Sequence, residues 1–542
     1  MITSNLMGNK HVKLFLLLII LFLCFVVFFY KLGKPTIYIW DEARNIINAI
    51  EMSESKNFLV TTYQGETDTW NTKPPLLIII QSIFINLFGL SELSVRLPST
   101  MTATLAVLFV FLFVSRCTKS NFIAFFSSFI LLTTPGLVDH HGIRTGDYEA
   151  MLMLFCILYS FFFLFYIETK KTKYLYLFFI AFTLAFMTKS AAALLFLPAL
   201  FIYSIYRKRI SFILKSKHFY IALAIPLLII GAYYTYRNML YPGYWQIIYE
   251  NEFGGRYLST IEGHEHETMF YLDFFINSKL KYWLFLALPG LILTFFEKNY
   301  RIKRLFVFLS LLSITHLIII SFANTKLHWY GLPEFPFWSI MAAISLYQIL
   351  CGVSKLLKRK IPANAVTAIV IVVALCFPIV DTIKRVNHYE DEFFPNNTNV
   401  FLRNEITKFI DKNDKVTLLT TMNHQNSLFY LHTLTRKGYH IEIGEFDNIS
   451  QYDIVLLDEY DIPKSLIESV STLFVTETIS EYQKTIVLSR ITRERTYEEA
   501  VDYAKQQLHS SGDYKGMGNN NITYLEADSK VRNAMSFLRY RK

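Results

Sequence analysis

Charged residues are scarce in this chain. Asp, Glu, Lys and Arg together make up 18% of its 542 residues, whereas 53% of the residues are apolar and 16% are aromatic. A soluble protein of this length carries more charge, so the composition excludes that class and indicates a polytopic membrane protein. Because a lipid-exposed segment must satisfy its own backbone, the repeated apolar runs are predicted to be helices.

Cysteine is scarce too, and its positions are informative. The five cysteines lie in or beside apolar runs, at Cys24, Cys117, Cys156, Cys351 and Cys376. None lies in the polar C-terminal part, which argues against a disulfide framework and against a thiolate metal site. The sequence also contains no glycine-rich phosphate loop and no internal repeat of fixed period.

The basic residues predict the topology. The formal net charge is +10, but most clustered Lys and Arg lie in short loops between apolar runs, so no nucleic-acid partner is expected. The clusters occupy alternate loops on the side of the N-terminus, at Arg116/Lys119, Lys170/Lys171/Lys173, Arg207/Lys208/Arg209, Lys298/Arg301/Lys303/Arg304 and Lys355/Lys358/Arg359/Lys360. The positive-inside rule makes that side cytoplasmic. With an odd number of spans, the C-terminus then lies outside the cytoplasm.

The apolar runs predict about eleven transmembrane helices of the length that a bilayer requires. Their centres lie near residues 22, 107, 130, 159, 181, 198, 227, 288, 313, 341 and 371. The first run, Leu14 to Tyr30, lacks a small-residue cleavage site and is interpreted as a retained anchor. The run Leu76 to Leu90 is short and follows two prolines, so it is predicted to be an interfacial or re-entrant helix of the first outer loop.

The texture of the chain changes near Asp381. Residues 1–381 are predicted to form a membrane domain, and residues 382–542 a soluble, extracytoplasmic α/β domain with a partly parallel sheet. The expected strands are "KVTLLTT", "YDIVLLD", "TLFVTE" and "KTIVLS". The expected helices are "FLRNEITKFID" and "NSLFYLHTLTRKG", the second ending at Gly438.

Polar side chains gather in the predicted outer loops, which suggests a site at one membrane face. Several have ordinary explanations. Lys73, before two prolines, could mark a helix start, and Asp147 could cap the helix that follows it. His264 and His266 are spaced for two metal ligands, although short His-Glu clusters in loops are more often solvated. Lys189 lies within an apolar run, where a cation is costly and tends to have a partner.

Five segments occur in an order that resembles a known family: "YIWDEARN", "KPPLL", "SVRLPS", "RTGDYEAML" and "TKLHWYGLPEFP". Over roughly residues 10 to 350 the chain is similar to the bacterial membrane glycosyltransferases of the GT-C type. That group includes the protein O-mannosyltransferases and the aminoarabinose transferases of lipid A. The resemblance implies interfacial helices in the first outer loop. It also implies transfer of a sugar from a polyprenyl phosphate to a lipid, glycan or protein acceptor outside the cytoplasm.

The resemblance also implies roles for individual residues. Asp41 matches the catalytic acidic position and Asp147 the second one, with Glu42 as a further catalytic candidate. Lys73 is expected to meet the donor phosphate, since a lysine suits a phosphate as a point charge. The other substrate-binding candidates are outer-loop or span-end side chains, namely Arg44, Arg144, Lys189, Arg256, Lys326, His328 and Tyr330.

The sequence departs from the family at two positions. Some lipid A transferases carry a glutamate before Lys-Pro-Pro that helps to hold a metal, and here that residue is Thr72. No cofactor follows with certainty, and a divalent ion would need His264, His266 or the nearby glutamates. At His328 the family frequently has proline.

Two other classes of function are compatible with a polytopic chain. A transporter or flippase of a lipid-linked sugar is the first alternative, but no two related halves are found in the sequence. A sensor that binds a ligand with its outer domain is the second, yet about eleven spans exceed what anchoring requires. We therefore expect a transferase in the cytoplasmic membrane, with membrane lipids around it.

Overall fold

The structure is a computed structural model that describes residues 10–258, 263–357, 375–387, 397–420, 425–458, 462–482, 486–510 and 520–539. The chain divides into two compact units. The membrane unit comprises residues 1–35 and 45–393, and the sheet unit comprises residues 36–44 and 394–542. A short segment near the N-terminus thus belongs with the C-terminal part of the chain.

The membrane unit is mostly helical, as its apolar composition predicts. Its helices and helical turns are Lys10–Cys24, Phe25–Phe29, Asp41–Ser55 (from Asn45 on), Leu76–Phe88, Glu92–Thr118, Asn121–Leu132, Pro135–Val138, Glu149–Thr169, Thr172–Lys189, Ser190–Leu194, Leu197–Tyr206, Ile210–Leu214, Lys217–Leu240, Tyr244–Ile248, Tyr249–Phe253, Gly254–Leu258, Phe270–Phe274, Phe275–Lys279, Tyr282–Leu293, Thr294–Phe296, Tyr300–Ser321, His328–Glu334, Phe335–Leu357 and 375–387. A two-stranded hairpin, β1 (Thr62–Tyr63) and β2 (Glu66–Thr67), lies in the first loop.

Seven helices in the described part are long and apolar enough to cross a bilayer, and a bent pair would make eight. They correspond to the predicted spans near residues 22, 107, 159, 181, 227, 313 and 341, with the bent pair near 288. The predicted spans near 130 and 198 fall on shorter helices, Asn121–Leu132 and Leu197–Tyr206. The one near 371 lies outside the described residues. The fold is thus a multi-pass helical membrane fold with seven or more candidate spans.

The shorter helix Asn121–Leu132 ends where side chains compete with the helical hydrogen bonds. Thr133 and Thr134 turn their hydroxyls back onto carbonyls of the last turn of Asn121–Leu132, and Pro135 follows. A proline has no N–H to donate and clashes with the preceding turn, so the helix stops there. The helix Leu76–Phe88 confirms the short apolar helix that was predicted after Pro75.

The helix Glu149–Thr169 forms the centre of the membrane unit. Within its most apolar window 83% of the residues are buried, against 22% for Lys217–Leu240. It packs against Glu92–Thr118 through phenylalanines, with the ring centroids of Phe113 and Phe161 5.0 Å apart. A helix that is apolar all round is expected at such a central place.

A sharp bend lies between two helical segments near the predicted span at residue 288. Phe270–Lys279 and Tyr282–Phe296 meet at 116°. Lys281 at the bend has a φ of 51°, in the left-handed region that side chains rarely adopt. Gly331 packs against the first segment so closely that a Cβ there would lie 2.4 Å from the Phe275 ring. Close backbone approach therefore requires glycine at this position.

The sheet unit is a mixed five-stranded sheet with helices. Its strands are β3 (Lys415–Leu419), β4 (His440–Gly444), β5 (Ile454–Asp458), β6 (Phe474–Tyr482) and β7 (Ile486–Glu494), in the order β4-β3-β5-β7-β6. β3 pairs in parallel with β4 and β5, and β7 pairs antiparallel with β5 and β6. Its helices and turns are Asn397–Asn404, Ile406–Lys408, Gln425–Arg436, Phe446–Gln451, Lys464–Leu473, Tyr497–Ser510 and Asn520–Arg539.

The predicted α/β domain with a partly parallel sheet is confirmed. All four predicted strand segments contain a strand, and β4 is an additional one. The predicted helix "FLRNEITKFID" breaks at Glu405 into a short helix and a separate turn. Residues 375–387 are helical and belong to the membrane unit. Charged residues therefore become frequent before the sheet unit begins at residue 394. The domain boundary expected at residue 381 differs from this division and stays a prediction.

Candidate active site

A network of amides fixes the segment before Lys73. Asp68 accepts the main-chain N–H groups of Trp70 (2.9 Å) and Asn71 (3.0 Å), and its other oxygen accepts Asn48 Nδ2 at 3.0 Å. Asn71 Nδ2 in turn lies 2.9 Å from Asn48 Oδ1 and 2.9 Å from the Tyr148 hydroxyl. These groups are buried, and such fully connected polar networks hold one backbone conformation.

Lys73 follows that network directly. Its Nζ lies 5.6 Å from the centre of the Tyr148 ring. Two prolines and the apolar helix Leu76–Phe88 come next. A fixed cation therefore stands at the start of an apolar helix, beside an aromatic ring.

Thr72 is tied to a distant acidic residue. Its hydroxyl donates to Glu252 Oε1 at 2.9 Å, and the hydroxyl of Ser190 donates to Glu252 Oε2 at 2.6 Å. The Tyr244 hydroxyl donates to the Thr72 carbonyl at 3.4 Å. Glu252 thereby joins three parts of the membrane unit: the loop before Leu76–Phe88, the end of Thr172–Lys189 and the segment after Lys217–Leu240. Sequence reasoning did not single out Glu252, since 180 residues separate it from Thr72.

Asp147 lies in a closed polar pocket of the loop before the helix Glu149–Thr169. Its side chain is 1% exposed, and Oδ2 accepts the Thr145 hydroxyl at 2.7 Å and lies 3.2 Å from His141 Nδ1. The His141 ring stacks on Trp329 with centroids 3.7 Å apart. Asp147 Oδ1 is buried without a hydrogen-bond partner among the residues that the structure describes. The N-cap of the following helix is Tyr148, without a side-chain cap, so Asp147 does not cap that helix.

The pocket determines the protonation of Asp147. Burial raises the pKa of this carboxyl, but the charge and hydrogen bond of His141 and the hydroxyl of Thr145 lower it more, to about 2. The nearby His140 acts in the same direction. Asp147 is therefore an anion at neutral pH, held by its neighbours.

Lys189 has the partner that the sequence analysis expected for a cation in an apolar run. Its Nζ forms an ion pair with Glu149 Oε1, and both side chains are largely buried. The Nζ also lies 5.5 Å from the centre of the Tyr330 ring. Breaking such a buried pair by removing one charge costs about 3–5 kcal/mol. Two predicted binding residues, Lys189 and Tyr330, thus lie together beside Glu149, a residue that the sequence analysis missed.

Arg144 is engaged with the main chain. Its guanidinium donates to the carbonyls of Val27 (3.0 Å), Phe28 (3.0 Å) and Tyr30 (2.8 Å). These carbonyls end the first membrane helix, where acceptors lack helical partners. Arg96 donates in the same way to Leu32 and Pro35. Substrate binding by Arg144 stays a prediction, and its structural contacts are those of a helix cap.

The predicted outer residues Lys326, His264, His266 and His328 cluster. Lys326 donates its main-chain N–H to the His264 carbonyl (3.0 Å) and its ammonium to the His266 carbonyl (2.8 Å). The ring centroids of His266 and His328 lie 6.3 Å apart, and both rings stack on phenylalanines. Within the described ranges no group of three His, Cys, Asp or Glu side chains could hold a metal. Zinc requires such a set, so we derive no step through a metal.

Asp41, Glu42 and Arg44 lie in the sheet unit. Glu42 is fully buried and its Oε2 accepts the Tyr38 N–H at 2.9 Å, so its carboxylate closes the turn that precedes the helix Asp41–Ser55. Asp41 is the first residue of that helix and half-buried. Among the described residues of its own unit, its carboxylate has no hydrogen-bond or ion-pair partner. The side chain of Arg256 lies outside the described part of the chain.

Comparison with known proteins identifies the fold. Residues 72–234 match the family described as dolichyl-phosphate-mannose-protein mannosyltransferase. An uncharacterized protein of Aquifex aeolicus (strain VF5) is 25% identical over 333 residues, which are 61% of this chain and 63% of that protein. The chain thus spans less than two thirds of the length of that curated relative.

Three crystal structures are similar in fold. ArnT from Cupriavidus metallidurans bound to undecaprenyl phosphate has a TM-score of 0.65 at 15% identity, covering 87% of this chain and 97% of ArnT. Its apo form gives 0.64 at 12% identity over the same shares. The apo oligosaccharyltransferase of Archaeoglobus fulgidus gives 0.52 at 10% identity, over 98% of this chain and 84% of that one. The resemblance to the GT-C membrane glycosyltransferases is therefore confirmed: this chain has their fold, and part of it matches the mannosyltransferase family.

Proposed function

We propose that this protein transfers a sugar from a polyprenyl-phosphate-linked donor to a lipid, glycan or protein acceptor on the outer face of the cytoplasmic membrane. The observation that carries the proposal is the setting of Lys73, a cation fixed at the start of the apolar helix Leu76–Phe88. A donor of this kind keeps its chain in the bilayer and its phosphate at the surface. ArnT, whose fold the chain shares, was crystallised with undecaprenyl phosphate, which supports this donor class.

In the proposed reaction an acceptor oxygen attacks the anomeric carbon of the sugar. The bond between that carbon and the phosphate oxygen breaks, and its electron pair stays on the polyprenyl phosphate. Lys73 stabilises the charge that builds up on the leaving phosphate, which is typically the largest electrostatic contribution. Because the amide network holds its backbone, Lys73 needs little reorganisation during the reaction.

Asp41 is the proposed base. It accepts the proton of an acceptor hydroxyl as the new bond forms, a role that contributes about 10²–10⁴-fold to rate. If the acceptor is a phosphate, its oxygen is already anionic and Asp41 positions groups instead. Asp147, anionic at neutral pH, is proposed to hold the second acidic position, and Glu42 to fix the turn beside Asp41.

The remaining candidates are proposed to line the donor and acceptor sites. Lys189 lies over the ring of Tyr330. Lys326 bonds the carbonyl of His266, whose ring is close to that of His328. Arg44, Arg144 and Arg256 are retained as substrate-binding candidates.

The proposed topology places the N-terminus in the cytoplasm and the sheet unit outside. It rests on the alternation of basic loops. Single cysteines introduced near Asn448 and near Lys358 will be treated with an impermeant thiol reagent on intact cells. We expect labelling near Asn448 only, and labelling near Lys358 alone would reverse the orientation.

The function is tested with the purified chain in liposomes that contain a polyprenyl-phosphate sugar. We expect release of polyprenyl phosphate and a sugar-bearing acceptor, with acceptors first identified by mass spectrometry of lipid A, surface glycans and exported proteins from a deletion strain. Movement of the intact donor across the bilayer without loss of its sugar would indicate a transporter instead. The described residues contain one sharply broken helix pair, whereas inverted-repeat transporters carry two in corresponding halves.

A further inference from the structure

The segment that carries Asp41 is held by the C-terminal part of the chain. Residues 36–44 form one compact unit with residues 394–542, although about 350 residues of sequence separate them. The contact is made by the helix Gln425–Arg436. The Ile37 N–H donates to the Tyr430 hydroxyl at 3.1 Å, and Asn426 Nδ2 donates to the Ile37 carbonyl at 3.4 Å.

These two bonds fix both main-chain groups of one residue. Asn426 and Tyr430 are four residues apart and therefore lie on the same face of their helix. Ile37, Asn426 and Tyr430 are 1%, 4% and 2% exposed. A buried main-chain N–H or C=O group without a partner costs free energy. The Tyr430 hydroxyl and the Asn426 amide supply these partners and so favour one backbone position for Ile37.

The turn that follows Ile37 has a strained backbone. Trp40, directly before Asp41, has a φ of 70°, in the left-handed region that a bulky residue rarely adopts, and its side chain is 57% exposed. Such a conformation persists where the surroundings over-determine it. Three sets of hydrogen bonds restrain this turn: those of Ile37 to the helix Gln425–Arg436, the bond from the Tyr38 N–H to Glu42, and the first main-chain bonds of the helix Asp41–Ser55.

We infer that Tyr430 and Asn426 are positioning residues for Asp41: the C-terminal part of the chain sets the backbone from which the proposed base projects. Neither touches the reacting atoms, so they act through Ile37 and the strained turn. The inference rests on the proposed function of Asp41. It assigns to the sheet unit a role in turnover, distinct from donor binding at Lys73.

The test compares two tyrosine variants of the full-length protein. Tyr430→Phe removes the hydroxyl that accepts the Ile37 N–H. Tyr452→Phe is the matched control, since the Tyr452 hydroxyl also accepts a main-chain N–H, that of Glu445 at 3.2 Å. For the helix itself, Asn426→Ala is compared with Ser427→Ala, which loses only the bond to Asn399.

Hydrogen exchange gives the first readout. In Tyr430→Phe the amides of residues 36–44 should exchange about 2- to 12-fold faster, as expected for loss of one neutral hydrogen bond. Tyr452→Phe should leave these amides unchanged. Equal exchange rates of these amides in the two variants would show that the Tyr430 hydroxyl does not restrain residues 36–44. That result holds whether or not the protein is a transferase.

Kinetics give the second readout. We expect Tyr430→Phe and Asn426→Ala to lower kcat by a similar factor while KM for the donor stays at its wild-type value. Because loss of folded protein would also lower the apparent kcat at constant KM, kcat is expressed per folded protein. The controls Tyr452→Phe and Ser427→Ala should then keep the wild-type kcat. Faster amide exchange in Tyr430→Phe together with a wild-type kcat would refute the inference that Tyr430 positions Asp41 for turnover. Absence of transfer by the unmodified protein with every polyprenyl-phosphate sugar would instead refute the proposed function. The exchange comparison would still show whether Tyr430 restrains residues 36–44.

Discussion

Two acidic residues that the sequence places in similar outer loops have opposite environments. Asp147 is buried, bonded to Thr145 and close to His141, and its pKa is lowered to about 2. Asp41 begins a helix after a strained residue, and no described residue of its own unit bonds its carboxylate. When environments differ in this way, two carboxylates perform different tasks.

The difference suggests which carboxylate takes part in proton transfer. A base must release its own hydrogen bonds to accept a proton, and Asp147 would have to give up His141 and Thr145 to do so. No described residue of the sheet unit bonds the carboxylate of Asp41. We therefore propose that Asp41 acts as the base and that Asp147 holds a fixed negative charge. Four predictions follow in order of expected effect: those for Asp41 and Asp147 test this contrast, and those for Lys73 and Thr72 test donor binding apart from it.

The largest effect is expected from Asp41→Asn, which keeps size but removes charge and basicity. Single-turnover transfer to a hydroxyl acceptor should fall about 10²–10⁴-fold while donor binding survives. The control is Glu54→Gln, an exposed residue of the same helix. Near-normal transfer across pH by the asparagine variant would remove Asp41 from the mechanism.

Lys73→Ala should produce the next largest effect. Loss of a charged hydrogen-bond donor to the phosphate costs about 1.5–3 kcal/mol, so donor use should fall roughly 10- to 150-fold. Donor affinity and turnover are measured with the purified variant. Lys56→Ala, which removes an exposed cation of the first loop, should be silent, and wild-type values for Lys73→Ala would exclude the phosphate contact.

Asp147→Asn should change the pH dependence of stability. Since the folded-state pKa lies below the ordinary value of 3.8, the anion stabilises the fold above about pH 4, and that contribution is lost as pH falls toward 2. The asparagine variant should be less stable at neutral pH and should lose less stability than the wild type between about pH 5 and 2. Melting curves in detergent check this.

Asp41→Asn serves as the comparison for that experiment, because no bond to a described residue of its unit holds its carboxylate. Because Asp41→Asn removes no such bond, its melting temperature at neutral pH should stay near the wild-type value. If both variants flatten the curve equally, the contrast between the two carboxylates is lost.

The smallest effect is expected from Thr72→Val, which removes one hydroxyl bond to Glu252 and keeps the shape of the side chain. A single such bond contributes about 0.5–1.5 kcal/mol, so donor KM should rise about 2- to 12-fold through looser placement of Lys73. Ser190→Ala removes the other bond to Glu252 and tests whether the effect travels through that carboxylate. An unchanged KM in both variants would separate Glu252 from donor binding.

The sequence predicted what depends on local pattern. Apolar runs predicted the seven long candidate spans and the bent pair. The periodicity of "NSLFYLHTLTRKG" predicted the helix Gln425–Arg436, with Gly438 at a φ of 89° just beyond its end. The edge strand β4 was missed because "HIEIG" carries only two apolar side chains, whereas β3 and β5, of the same length, carry three or four. The break at Glu405 was missed because the apolar pattern continues across it.

The site was predicted only in part, because its decisive contacts are non-local. The sequence indicated Asp147 but suggested that it caps a helix, since His141 and Trp329 become its surroundings only through folding. Arg144 was expected to bind substrate, and it donates to the carbonyls of residues 27, 28 and 30, more than 100 positions away. No spacing rule connects Glu252 with Thr72.

The composition of the sheet unit also sets an order of events during synthesis. Residues 36–44 emerge early, whereas their partners in residues 394–542 are made about 350 residues later. At about 5–20 residues per second, the delay is roughly 18–70 s. During that interval Ile37 lacks the hydroxyl of Tyr430, and nothing from the C-terminal part restrains the turn at Trp40. We therefore expect the newly made membrane unit to stay inactive until residues 394–542 have been made and have folded.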